Sequence, residues 1–206
     1  MIVQKQNKFK MNKNSYIKGA MLIATFITII LLFASCSNNQ KPEDTKDVAE
    51  EHNEAKFDNN NQEMDAQFLV NAAEINLEEI QLGQLAQQIG RTTHVKELGR
   101  MMEKSHSKAL LDLTALAKSK MITIPGSPTD HAQDAYKTLN EKSGNDFDKA
   151  YVDMMVSGHK DAIAAFEKAS HDCNDTDIKN WASASLPDLR AHLDHSIDCQ
   201  KKVDKI

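Results

Sequence analysis

Four ionisable side chains stand where helical periodicity calls for apolar ones. Glu79 lies four residues after Ile75 and three before Leu82; His106 lies four after Met102 and three before Ala109. His159 lies four after Met155 and three before Ala162, and His192 lies three after Leu189 and beside Leu193. Residues three and four apart share one helix face, so each of these groups points where its apolar stripe points, into a core. A polar group buried there without a partner costs several kcal/mol, so such groups pair with one another or bind a cation. Imidazole with carboxylate suits a transition metal ion, Zn, Fe, Mn or Cu. Three histidines and one glutamate would make a mononuclear site with four protein ligands, with or without a further open position. A second reading stays open: Glu79 accepts hydrogen bonds from two of the histidines, and the four form a polar network that sets helix register.

Neighbouring residues bear on the metal. Met102 and Met155 each lie one turn before a candidate histidine, and thioether with imidazole suits Cu(I); methionine at helical spacing also serves as core filler. Glu103-x-x-His106 matches half of a di-iron carboxylate pattern, but its second copy is missing: helix four offers only Asp188, four before His192. His195 is expected to face solvent, and His94, His131 and His171 to lie in loops or at helix ends. No Ser/His/Asp triad, phosphate loop or nucleotide motif is present.

The elements that must position these groups are helical. Apolar residues recur at helical spacing from Met64 to Ile89, from Val95 to Leu116, from Phe147 to Phe166 and from Ile178 to Ile197. Gly90 is expected to end the first helix and Thr92 or Thr93 to cap the second. Pro187 should kink the fourth, since it lacks an N–H and its ring crowds the preceding turn. Short connections make two antiparallel hairpins. The long connection over residues 120–146 carries a short helix announced by Ser127-Pro128-Thr129-Asp130, running to about Lys142 with Gly144 beyond it. Two hairpins joined by a long crossover is the ferritin-like way to connect a four-helix bundle, and residues 63–204 are assigned to that domain. Depth is consistent across the four helices. Glu79 lies eleven residues before Gly90 and His106 sixteen after it; His159 lies fourteen before Cys173 and His192 nineteen after it. At about 1.5 Å per residue all four fall near mid-helix. Cys173 and Cys199 lie 26 residues apart along a helical path, so no bridge between them is expected.

With only 7 Gly and 4 Pro in 206 residues, a turn-rich sandwich or barrel is excluded. The net charge is −5, and residues 1–35 carry five lysines and no acidic residue, which leaves −10 for the rest. A chain of that sign lacks the cationic footprint for nucleic acid. Lys5, Lys8, Lys10, Lys13 and Lys18 precede an apolar run from Gly19 to Ser35, the pattern of a secretory signal. Leu32-Phe33-Ala34-Ser35-Cys36 resembles a bacterial lipobox, so residues 1–35 read as a lipoprotein signal peptide and Cys36 as the lipidated N-terminus. That address implies a membrane partner through the lipid anchor, in the cell envelope, at the outer membrane facing the periplasm. Residues 36–62 are Asn-, Glu-, Asp- and Lys-rich and read as a flexible polar tether.

Several segments are similar to an uncharacterised ferritin-like domain family of bacterial envelope proteins, often labelled predicted outer membrane protein. They are Glu79-Ile80-Gln81-Leu82-Gly83, Met102-Glu103-Lys104-Ser105-His106, Phe147-Asp148-Lys149-Ala150-Tyr151 with His159, and Leu186-Pro187-Asp188-Leu189-Arg190-Ala191-His192. The resemblance implies the bundle fold, an envelope location, and Glu79, His106, His159 and His192 as signature polar positions. It implies no reaction, and fold alone does not license one. The expectation is therefore a lipid-anchored protein that binds metal rather than turning over substrate. The alternatives are an interaction protein with a merely structural polar core, and a redox enzyme, which would need an open coordination position and a substrate pocket.

Overall fold

The computed structural model describes residues 42–206; the signal peptide expected over residues 1–35 and the lipidation expected at Cys36 lie outside them. All regular structure among the described residues is helical: α1 (Thr45–Glu54), α2 (Asn60–Ile89), α3 (Thr93–Ser119), α4 (Asp130–Asn140), α5 (Gly144–Asp172) and α6 (Thr176–Val203). None of these helices is long and apolar enough to cross a membrane.

Side chains at the helix starts explain most of the boundaries. Asp44, Asn59, Thr92, Thr129 and Asp175 each accept a hydrogen bond from a backbone N–H in the first turn of α1, α2, α3, α4 and α6 respectively. The exception is α5. Ser143 makes no such bond, and the helix opens instead at Gly144 with φ +60°, a conformation that L side chains rarely adopt. Gly90 does end α2, but for a different reason than a left-handed cap. Its φ is −53°, and a Cβ there would sit 2.4 Å from the Ala86 carbonyl oxygen and 2.9 Å from Val95 Cγ1. Pro187 lies inside α6, which runs from Thr176 to Val203.

The stretch assigned to a flexible tether requires correction from Thr45 onward. Residues 45–54 form α1, Phe57 is buried in the core, and α2 begins at Asn60. The segment carries little apolar surface, and it is held instead by polar side chains. Asn53 donates from Nδ2 to the Thr123 carbonyl and accepts from the Thr123 N–H at Oδ1, both at 2.8 Å. Lys46 pairs with Glu74 at 2.6 Å. An amide side chain can satisfy a backbone donor and acceptor at once, and hydropathy does not register this.

α2 packs chiefly against α3, and α5 against α6. At the first of these contacts the backbones nearly touch: a Cβ on Gly83 would lie 2.6 Å from the Gly99 carbonyl oxygen, and one on Gly99 would lie 2.6 Å from that of Gly83. Two apolar clusters fill the interior. One holds Leu69, Leu113, Phe166 and Ile178; the other holds Leu82, Met102, Phe147, Tyr151 and Met155. Each cluster draws on all four long helices. Along every one of these helices, the polar residue singled out above falls between the two clusters.

Two buried carboxylates join the helix pairs reciprocally. Asp148, near the start of α5, accepts from the N–H groups of Arg91 and Thr92 at 2.8 and 2.9 Å, holding the α2–α3 turn. Asp65, near the start of α2, accepts from those of Asn174 and Asp175 at 2.7 and 2.8 Å, holding the α5–α6 turn. Both are buried, Asp148 completely. Hydrogen bonds to a charged acceptor contribute about 1.5–3 kcal/mol each. Asp148→Ala should therefore lower the unfolding free energy by about 3–6 kcal/mol in urea titrations. Asp148→Asn, which keeps one acceptor oxygen, should lose about half of that; a loss equal to that of Asp148→Ala would show that a single neutral acceptor holds nothing at this turn.

Candidate metal centre

Glu79 on α2, His106 on α3, His159 on α5 and His192 on α6 are all buried, with relative exposures of 5, 3, 1 and 7%. The three imidazoles converge. Their ring centroids form a nearly equilateral triangle, with sides of 5.6 Å from His106 to His159, 5.2 Å from His106 to His192 and 5.4 Å from His159 to His192. One ring nitrogen from each lies within 4.8 Å of the others, close enough to bind a metal ion. Bonds of about 2.0–2.1 Å in tetrahedral geometry would draw such donors to about 3.4 Å apart, a shift that side-chain rotation can supply.

Hydrogen bonding sets which nitrogens are free. His159 Nδ1 lies 2.9 Å from the Met155 carbonyl oxygen, which only accepts, so Nδ1 carries the proton and Nε2 keeps its lone pair. His106 Nδ1 lies 3.0 Å from Asn76 Oδ1, while Asn76 Nδ2 donates to the Ala72 carbonyl at 2.7 Å. That second bond orients the amide, so His106 also carries its proton on Nδ1. Among the described residues no hydrogen-bond partner reaches His106 Nε2, His159 Nε2 or His192 Nδ1. A proton held on one nitrogen by a carbonyl, with the other nitrogen bare, is how metal-ligating histidines are oriented. Burial pushes the pKa of each ring down from 6.5, to about 4 for His159, so all three are neutral near pH 7. The other rings lower His106 further by mutual repulsion of their charged forms.

The fourth predicted ligand stands apart from this trio. Glu79 is buried beside it, but its Oε1 approaches His159 at Nδ1, at 3.7 Å, the nitrogen already engaged by Met155. It is not among the ligand atoms that converge. Burial, then repulsion from Glu78, raises the Glu79 pKa to about 8, and its Oε2 has no hydrogen-bond partner among the described residues. Its charge acts on Tyr151, whose hydroxyl is also buried and whose pKa is raised by burial first and by Glu79 second. The same periodicity that placed Glu79 in the core could not say which side of His159 its carboxyl would take. Asn76, which orients His106, was missed, although it lies three residues before Glu79 on the same face and is equally polar.

The remaining candidates lie elsewhere. Glu103 accepts from Gln84 and Gln87 on α2 and takes no part in the cluster. His94, His131, His171 and His195 are exposed. Cys173 and Cys199 are free and buried, their thiols pushed up to about 12 and about 11 mainly by burial, so neither supplies a thiolate near neutrality. Residues 49–198 match a family described as Domain of unknown function (DUF4142). No curated protein and no solved structure matches the chain.

The buried groups set opposite pH dependences in metal-free protein. The histidines titrate lower in the fold than at 6.5, so the unfolded chain binds more protons in acid. Stability should fall as pH drops from 6.5 toward 4, His159 alone contributing on the order of 3 kcal/mol. Glu79 titrates higher in the fold than at 4.5, so its contribution is complete below 4.5 and lost as pH rises through about 8. Urea unfolding in chelator across pH 4–8.5 should show both flanks, and Glu79→Gln should flatten the alkaline flank only.

Proposed function

The chain belongs to the DUF4142 family, and from that premise we propose that it is an envelope-anchored, ferritin-like lipoprotein that binds one transition metal ion through His106, His159 and His192. The observation that carries this reading is the convergence of three buried imidazole nitrogens, each from a different helix and none with a hydrogen-bond partner among the described residues. A hydrogen-bond network would place a donor opposite each acceptor; three neutral rings meeting through bare lone pairs satisfy none of them. A cation satisfies all three at once. An all-imidazole set favours Zn, Cu or Fe over Mn, which prefers oxygen donors. Glu79 sits near enough to offset part of the ion's charge without joining the trio.

Two features support the rest of the reading. The α2–α3 and α5–α6 pairs, with α4 in the connection between them, fit two hairpins and a crossover, the ferritin-like arrangement of a four-helix bundle. The lysine-rich start, the apolar run from Gly19 to Ser35 and Cys36 support a lipid anchor at the outer membrane. Binding or buffering of the metal, rather than turnover, is the role proposed.

Metal analysis of purified protein should return one equivalent of Zn or Cu per chain after loading. His106→Ala, His159→Ala and His192→Ala should each weaken binding at least tenfold. At a hundredfold excess over Kd the ion should add about 2.7 kcal/mol to stability. Melting that ignores metal, with no bound ion, would leave the histidines as a polar core and nothing more. Separately, Cys36→Ser should abolish acyl labelling and move the protein from the membrane to the soluble fraction, since acyl chains hold by burial of methylenes at about 0.8 kcal/mol each.

A further inference from the structure

Three protein donors do not complete the coordination of a transition metal. Tetrahedral sites closed by four protein ligands are structural, whereas three protein ligands leave a position for an exogenous group. The fourth helix does not fill it here: α2 contributes Asn76, which is spent on orienting His106, and Glu79, which lies at the engaged nitrogen of His159. What reaches the centre instead is a cleft. It runs between α3 and α6, encloses about 250 Å³, and is lined at its inner end by His106 and His192. Ile75, Phe166 and Leu189 give its lining an apolar part, and Ala109 on α3 and Ser185 on α6 line it with small side chains. At about 30 Å³ per water molecule the space holds roughly eight waters, enough for a ligand of a few atoms and too little for a drug-sized one.

Resting on the metal-binding reading above, we infer that the α3–α6 cleft admits a small exogenous anion to an open position on the ion held by His106, His159 and His192. The charge of the ligand follows from the donors. Three neutral imidazoles neutralise none of a divalent ion's charge, and the part that Glu79 does not offset attracts an anion far more strongly in a low-dielectric interior than in water. The Lys108 ammonium at the cleft is paired with Asp112 at 3.0 Å and is largely exposed, so it adds little to this attraction. Asp188 also lines the cleft and opposes an anion, so attraction and selection rest on the ion and on size. Ala109 and Ser185 are small lining residues on different helices, and enlarging either one narrows the route without replacing a ligand residue.

The test uses full-length protein loaded with Co(II), whose visible spectrum reports coordination, titrated with sodium azide. The expected result is a saturable change in the Co(II) bands. Ala109→Phe and Ser185→Phe should each bind one Co(II) per chain as wild type does, yet slow azide association at least tenfold in stopped-flow measurements of the same bands. Two plugs from opposite helices guard against one failing to fold, and the wild-type titration is decisive by itself. A bound Co(II) whose spectrum azide does not move overturns this inference while leaving metal binding intact. If Glu79→Gln then alters that spectrum, the glutamate closes the fourth position. Absence of any Co(II) binding defeats both readings. Wild-type azide association rates in both plugged variants would show that the anion enters by another path and would overturn the role given to the α3–α6 cleft.

Discussion

A buried neutral imidazole with one nitrogen bonded and the other bare sits in an expensive state. The bare lone pair has lost its water, and nothing in the protein replaces it. Two of the three rings at this point, His106 and His159, are in that state, His192 Nδ1 is likewise without a partner, and burial removes the alternative of protonating them near neutral pH. Much of the surrounding structure can be understood as what keeps them there. The Met155 carbonyl and the Asn76 amide hold protons on the outward nitrogens, so the inward ones remain lone-pair donors. Apolar clusters above and below confine the polar groups to a single layer.

Such a layer demands accurate helix register. The ring centroids are 5.2–5.6 Å apart, about the pitch of one helical turn, so a slip of one turn in any helix would break the triangle. The backbone contact between Gly83 and Gly99 resists sliding of α2 on α3, because carbonyl groups there approach too closely to admit a methyl. Asp148 and Asp65 resist it between the pairs, each tying the start of one helix to the turn of the opposite pair. Four helices thus hold their polar residues at one level through contacts at the ends and at one tight crossing. The histidines themselves need contribute nothing to that alignment.

The chemistry proposed here follows from the donor set rather than from fold, which supports many activities. Imidazole nitrogens alone, without thiolate or oxygen in the trio, point to borderline ions and to a site whose charge is not neutralised by its own ligands. Cys173 and Cys199 are buried as protonated thiols and are not among the converging donors, which leaves thiolate out of the centre. The α3–α6 cleft then gives the same centre contact with solvent on one side, so a deeply held ion need not be an isolated one.

Periodicity alone located the four long helices within a few residues of their ends, and it selected His106, His159 and His192. Helical spacing is a local property, and a polar residue on an apolar stripe is visible without knowing what the stripe faces. Depth counted from the turns placed these residues at one level for the same reason. Direction around a neighbouring ring is not local. Whether the Glu79 carboxyl joined the nitrogens or passed behind His159 depended on side-chain packing between α2 and α5, and only the tertiary structure decided it. The same holds for α1, secured by an amide reaching the backbone 70 residues away, and for Asp65 and Asp148, whose acceptors serve turns on the opposite helix pair. A hydrogen bond between residues distant in the chain leaves no period to read, because its partner is chosen by the fold.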